Sequence, residues 1–119
     1  MGNTVTLYGI ANCDTIRKAR NWLREHGIEH RFHDYRKDGI DADQLRSMAA
    51  QLGWEAMLNR RGTTWRALPD ADKAGVDETA ALRLMAEQPA LIKRPILAHG
   101  DSLYLAFSDP QYREIFELE

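Results

Sequence analysis

VTLYGIANCDTIRKARNWLREHGIEHRFHDY, residues 5–35, decides the fold. Its opening, Val5-Thr6-Leu7-Tyr8-Gly9-Ile10, is rich in β-branched and aromatic residues and reads as a buried strand. Ala11-Asn12 leaves room only for a turn. From Asp14 the pattern becomes helical, with Ile16, Ala19 and Leu23 on one face, and His26-Gly27 supplies a left-handed stop. Ile28 to Tyr35 then reads as a second strand. Strand, helix and strand in this order form a βαβ unit, whose crossover makes the two strands parallel.

Cys13 is the only cysteine of the 119 residues, and it falls at the junction of the first strand and the helix. Unpaired amides and the positive dipole end of a helix both stabilise a thiolate there. Arg17, four positions on, is expected over the thiol on the same helix face, with Lys18 to the side and Asp14 opposing them. The sum predicts a thiol pKa below its ordinary value. The plain alternative for a lone cysteine is a small buried hydrophobe. A thiolate is the nucleophile of thiol–disulfide exchange. A dithiol site would need a second cysteine three residues along, and that residue is Ile16. Cys13 therefore depends on an external thiol to resolve a mixed disulfide, and glutathione is the abundant cytoplasmic candidate.

Downstream, Asp41 or Asp43 can cap a helix carrying Leu45, Met48, Ala49 and Leu52. Gly53-Trp54 breaks it, and Trp54, Met57 and Leu58 suggest one more helical turn. A basic loop, Asn59-Arg60-Arg61-Gly62-Thr63-Thr64, and a polar stretch at residues 69–72 follow. Asp77 or Thr79 starts a helix with Ala81, Leu84 and Met85 inward, stopped before Pro89. After Arg94-Pro95 comes a hairpin: Ile96 to Ala98, a turn at His99-Gly100-Asp101, and Leu103 to Phe107. Ser108-Asp109-Pro110 starts the last helix, with Tyr112, Ile115 and Phe116 toward the core. The expected architecture is one α/β domain over residues 1–119, with a helical insertion at about 41–90 between the second and third strands. Without that insertion the layout is thioredoxin-like, a mixed four-stranded sheet with helices.

Sixteen Lys and Arg against eighteen Asp and Glu give a formal charge of −2, which argues against a general nucleic-acid binder. No apolar run approaches the ~20 residues of a membrane span. A single cysteine rules out a disulfide framework and suits a reducing cytoplasm. His30 and His33, three apart on an expected strand, make a poor metal pair, and no metal site is expected. Trp22, Trp54 and Trp65 share no element and read as packing anchors. No symmetric apolar stripe demands an oligomer, so a monomer is expected.

Arg60 and Arg61, in a glycine-containing loop, and Arg94 are candidates for holding carboxylates, of which glutathione carries two. Solvated surface is the commoner fate of loop arginines. In a thioredoxin-like sheet Pro95 would be cis and beside the thiol. The exposed Arg94 backbone could then pair with an extended cysteinyl peptide. A trans proline opening a strand is the alternative.

The segments Tyr8-Gly9-Ile10-Ala11-Asn12-Cys13-Asp14-Thr15, Phe32-His33-Asp34-Tyr35, Leu58 to Trp65 and Lys93-Arg94-Pro95-Ile96 resemble the ArsC/Spx family, specifically its YffB branch. The resemblance covers nearly the whole chain in order. It implies a thioredoxin-like domain with a helical insertion, a catalytic thiol at Cys13 and a cis Pro95. It further implies a glutathione-dependent thiol reductase with no permanently bound cofactor and glutathione as co-substrate. Asn12, Arg17, Arg60, Arg61, Arg94 and Pro95 are the expected binding residues, and glutaredoxin or disulfide-bearing proteins the further partners. Two departures matter. Arsenate reductases of this family pair the cysteine with three arginines. Arg94 matches one and Arg60 or Arg61 a second, but the third falls near Leu105-Ala106-Phe107, where no basic residue stands. Losing that cation should weaken arsenate reduction. Spx-type regulators carry a CxxC switch, which Ile16 removes. A non-catalytic, Spx-like module that docks through the insertion helices is the alternative of another class.

Overall fold

A computed structural model of the chain describes residues 4–118. They separate into two compact units. One runs to Lys37 and resumes at Arg94; the other is Asp38–Lys93.

The first unit is built on four strands, β1 (Val5–Gly9), β2 (Arg31–Asp34), β3 (Ile96–His99) and β4 (Ser102–Leu105), in the order β2-β1-β3-β4. β1 pairs in parallel with β2, while β1–β3 and β3–β4 are antiparallel. The parallel pair follows from the crossover through helix α1 (Asp14–Glu25). Alternation along β1 sends Val5 and Leu7 to one face, where they pack with Ala19, Trp22 and Leu23 of α1, Leu97 of β3 and Tyr112. Each leucine fully buried in this way contributes about 1.5–3 kcal/mol over exposure. Trp22 is the packing anchor expected of it, and its indole N–H also donates to Asp109 Oδ1 at 2.7 Å. This is the α/β, thioredoxin-like mixed sheet.

Strand boundaries differ from expectation, and the ends of β2 and β4 do so for local reasons. β2 ends at Asp34 rather than Tyr35, because the Asp34 carboxylate accepts the Arg36 N–H at 2.9 Å and turns the chain into a short helix, α2 (Tyr35–Asp38). It also starts at Arg31, so His30 precedes the strand. β4 stops at Leu105 because Ala106 takes a left-handed φ of 72°. Phe107 leaves the strand and meets Tyr112 edge to face at 4.7 Å.

The second unit carries α3 (Ala42–Leu52), α4 (Trp54–Met57), α5 (Thr63–Ala67), α6 (Asp70–Lys73), α7 (Glu78–Glu87) and a 3-10 turn, Pro89–Leu91. Asp41 caps α3 through a reciprocal capping box with Gln44. Asp77 caps α7 by accepting the Ala80 N–H. Leu45 and Met48 of α3, Met57 of α4, and Ala81, Leu84 and Met85 of α7 are buried. The one-turn helices α5 and α6 fall in the stretch expected to be loop; four or five residues are too few for a helical period to be read. Helix α8 (Asp109–Ile115), capped by Ser108, completes the first unit.

Candidate functional site

Gly9, Ala11 and Asn12 set how β1 delivers the chain to Cys13. Gly9 ends the strand beneath α1, where a Cβ would stand 2.2 Å from Ile16 Cδ1. Only glycine lets the first helical turn seat that closely. Ala11 N–H points to Asp34 Oδ2 at 3.4 Å, so the buried carboxylate ending β2 tethers the loop. Asn12 is exposed with φ of 62°, a left-handed conformation that asparagine tolerates. The reversal makes Cys13 the N-cap of α1, with extended backbone at φ −123° and ψ 127°. Its carbonyl accepts the Arg17 N–H at 3.0 Å, and the side chain is partly exposed.

Burial pushes the thiol pKa up, but the opposing influences win and hold it below its ordinary value. They are, in order, the Ile16 backbone N–H, a hydrogen bond from the Arg94 side chain, the Thr15 backbone N–H and the Arg94 charge. The sulfur makes no close capping bond as a thiol; the two helix amides face it and stabilise the anion once it forms. The structure thus exchanges one expected cation for another. Arg17 is well exposed and ion-pairs with Asp14, the acid of the next position, rather than acting on the sulfur. Arg94, distant in sequence, takes that role. Sequence spacing reports the helix neighbour at i+4 but not the strand neighbour.

Arg94 reaches the thiol because of the β1–β3 register. Tyr8 stands opposite Ile96, so the two residues before Ile96 run alongside the end of β1 and the loop it feeds. The Arg94–Pro95 peptide is cis. Pro95 is buried, and its carbonyl accepts the Ala106 N–H at 2.9 Å, which brings the end of β4 to the same place.

On the next strand, Tyr8 lies against the His33 ring at 5.0 Å and the Tyr35 ring at 6.2 Å. Tyr35 is buried, and its hydroxyl has no hydrogen-bond partner among the described residues. Burial, with Tyr8 nearby, drives that hydroxyl's pKa far up despite the Arg94 charge, so it stays protonated. Gly9, Asp34 and Tyr35 are positioning residues that a search for reactive side chains passes over. All three stand in the motifs that carry the family resemblance, Gly9 in the stretch from Tyr8 to Thr15 and the other two in Phe32-His33-Asp34-Tyr35.

Arg60 and Arg61 belong to the other unit, and both are exposed. The Arg60 guanidinium lies 5.5 Å from the centroid of the Trp65 ring, and the Arg61 N–H donates to Asn59 Oδ1 at 3.0 Å. Asn59 is tied in turn by its N–H to the Leu91 carbonyl at 2.8 Å. The structure therefore joins Asn12, Cys13, Arg94 and Pro95 in one unit and places the two loop arginines in the other.

Comparison with known proteins covers almost the full length. An uncharacterized protein of Haemophilus influenzae is 46% identical over 112 residues, 94% of this chain and 98% of the relative. A solved structure of a YFFB protein superposes with a TM-score of 0.90 at 48% identity, covering 93% of this chain and 97% of the other. The solution structure of an arsenate reductase related protein from Brucella melitensis superposes with a TM-score of 0.78 at 47% identity, covering 97% and 96%. The ArsC family model matches residues 8–115, from the Tyr8 strand through the last helix, and the chain belongs to the ArsC family.

Proposed function

We propose that this protein is a monothiol oxidoreductase in which glutathione resolves the intermediate. The observation that carries the reading is a partly exposed thiol at a helix N-cap, with a depressed pKa and the Arg94 side chain on its sulfur. In the first step the Cys13 thiolate attacks one sulfur of a disulfide or of a glutathionylated thiol. One S–S bond forms, one breaks, and the displaced sulfur leaves as a thiolate. In the second step a glutathione thiolate attacks the mixed disulfide, regenerates Cys13 and departs as a disulfide. Cys13 has no second cysteine to perform this step itself.

The residues around the thiol suit a cysteinyl peptide. The cis Arg94–Pro95 bond presents the Arg94 backbone to an extended chain, and the Arg94 guanidinium would hold a glutathione carboxylate. Asn12, exposed beside the thiol, would contact the bound glutathione. The same chemistry fits a reducing cytoplasm, where reduced glutathione is the abundant thiol. No helix among the described residues is long and apolar enough to cross a membrane.

A second reading has one observation in its favour: a structural relative at 47% identity is described as arsenate reductase related. Against it, the end of β4 offers Leu105, Ala106 and Phe107 and no cation.

Mass spectrometry after exposure to oxidised glutathione tests the proposal. The wild type should gain one glutathione, lost again on adding reduced glutathione, and Cys13→Ser should gain none. Absence of the adduct on the wild type would refute it. Arg94→Ala should weaken glutathione binding about tenfold or more, the loss of one charge-assisted hydrogen bond of roughly 1.5–3 kcal/mol.

A further inference from the structure

The helical unit contains a short piece of extended pairing that its helices do not require. Residues 57–59 lead out of α4 and run antiparallel to residues 91–93, which lead out of the 3-10 turn, with Leu58 opposite Ile92. The Lys93 N–H donates to the Met57 carbonyl at 2.8 Å, and the Asn59 N–H donates to the Leu91 carbonyl at 2.8 Å. Met57, Leu58, Leu91 and Ile92 are each at most 2% exposed, so this ribbon is closed to water. Lys93 itself is exposed, and what ties it down is its backbone N–H.

That tie has a physical cause. Met57 ends α4, and the carbonyls of a last helical turn have no partner within the helix. A buried carbonyl left without a donor loses its hydration and gains nothing in return, so the Lys93 N–H is held on Met57.

The next residue in the chain is Arg94, whose side chain hydrogen-bonds the Cys13 sulfur. Beyond it, the buried Pro95 is held through its carbonyl, which accepts the Ala106 N–H at 2.9 Å. Arg94 is thus rooted between two backbone hydrogen bonds, one immediately before it and one immediately after. A long arginine side chain has many rotamers to lose, and backbone freedom at its root would multiply the positions open to the guanidinium.

We propose that Lys93 is a positioning residue for the thiol: its backbone N–H, held by the Met57 carbonyl, limits the freedom of the Arg94 backbone and so keeps the guanidinium on the Cys13 sulfur. The role belongs to the amide and not to the ammonium. The Lys93–Arg94 peptide bond is where the chain passes from one unit to the other, so packing inside the helical unit bears on the chemistry of the thiol through it. The inference needs the Arg94–Cys13 pairing and holds whichever thiol resolves the intermediate.

The test is the rate of Cys13 alkylation by iodoacetamide as a function of pH, on the full chain. Lys93→Pro removes the N–H, whereas Lys93→Ala removes the ammonium and keeps the N–H. Ile92 is extended at φ −83° and ψ 127°, the backbone that a residue before proline prefers. Lys93→Pro should move the inflection upward, with alkylation at pH 6.5 about threefold slower than in the wild type. Lys93→Ala should keep the wild-type profile. Ile92→Ala loosens the ribbon without deleting the bond and should move the inflection upward by less; it decides the matter if the proline variant does not fold. Ala81→Gly in α7 weakens the same unit away from the ribbon, so it should lower the Tm and leave the inflection in place. A wild-type inflection in Lys93→Pro, or in Ile92→Ala where the proline variant does not fold, would overturn the inference if Arg94→Ala still moves it. An equal shift in Lys93→Ala or Ala81→Gly would also overturn it, by tracing the effect to the ammonium or to stability. No shift in Arg94→Ala would overturn it together with the pairing on which it rests.

Discussion

Ile16 Cδ1 occupies the space that a Cβ on Gly9 would need, only 2.2 Å away. The position at which a dithiol site would carry its second cysteine is therefore buried packing, 2% exposed, and holds α1 against β1. Gly9→Ala must displace Ile16 or the helix start. Overpacking of this kind costs about 1–3 kcal/mol, so thermal unfolding should begin several degrees lower. An unchanged Tm would show that the helix start adjusts freely.

Asp34 connects the end of β2 to the loop before the thiol by accepting from Ala11 N–H and Arg36 N–H. Asp34→Ala leaves both amides to find other partners, at about 1–3 kcal/mol for each that stays buried. Hydrogen exchange at Ala11 and Arg36 should accelerate, with smaller changes at the amides of β4. Uniform acceleration across the sheet would instead assign Asp34 to global stability.

Tyr35 and Tyr112 both bury a hydroxyl with no partner among the described residues. Removing such a hydroxyl deletes a desolvated group and breaks no bond. Tyr35→Phe and Tyr112→Phe should each unfold within about 0.5 kcal/mol of the wild type or be slightly more stable, as denaturant titration would show. A loss above 1 kcal/mol in either variant would mean that its hydroxyl is bonded.

On the proposed reading, arsenate turnover is limited at the end of β4, where residues 105–107 carry no cation. Phe107 is partly buried and packs edge to face on the core residue Tyr112, so placing a charge there would damage packing. Ala106 is exposed, and its N–H donates to the Pro95 carbonyl. With glutathione and glutaredoxin supplied, the wild type should turn arsenate over poorly and Ala106→Arg measurably faster. Efficient turnover by the wild type would show that the missing cation is dispensable.

Long-range register explains which parts of this protein were legible in its sequence. The βαβ start, the glycine after α1, the caps at Asp41, Asp77 and Ser108, and the hairpin around Gly100 are local signals of spacing and turn chemistry. Cys13 was legible for the same reason, since a strand–turn–helix junction is a local pattern. The resemblance to a family supplied the cis Pro95, which composition alone leaves open. The partner of the thiol was not legible from spacing, because the Tyr8–Ile96 register brings Arg94 in from 81 positions away. Arg17 shows the converse, a residue at the right helical spacing that is taken up by Asp14. The ends of β2 and β4 differ from the sequence reading because an aspartate turn follows Asp34 and a left-handed Ala106 interrupts the apolar run Leu103 to Phe107.

The central claim is that Arg94 helps to hold the Cys13 thiol below its ordinary pKa. The most direct measurement is the rate of Cys13 alkylation as a function of pH in the wild type and in Arg94→Ala. Lowering the folded pKa means that the thiolate persists as pH falls below the usual thiol range. The wild-type rate should thus have its inflection below about 8.5, and Arg94→Ala should move that inflection upward. A wild-type inflection at or above about 8.5, or one that Arg94→Ala leaves in place, would contradict the account.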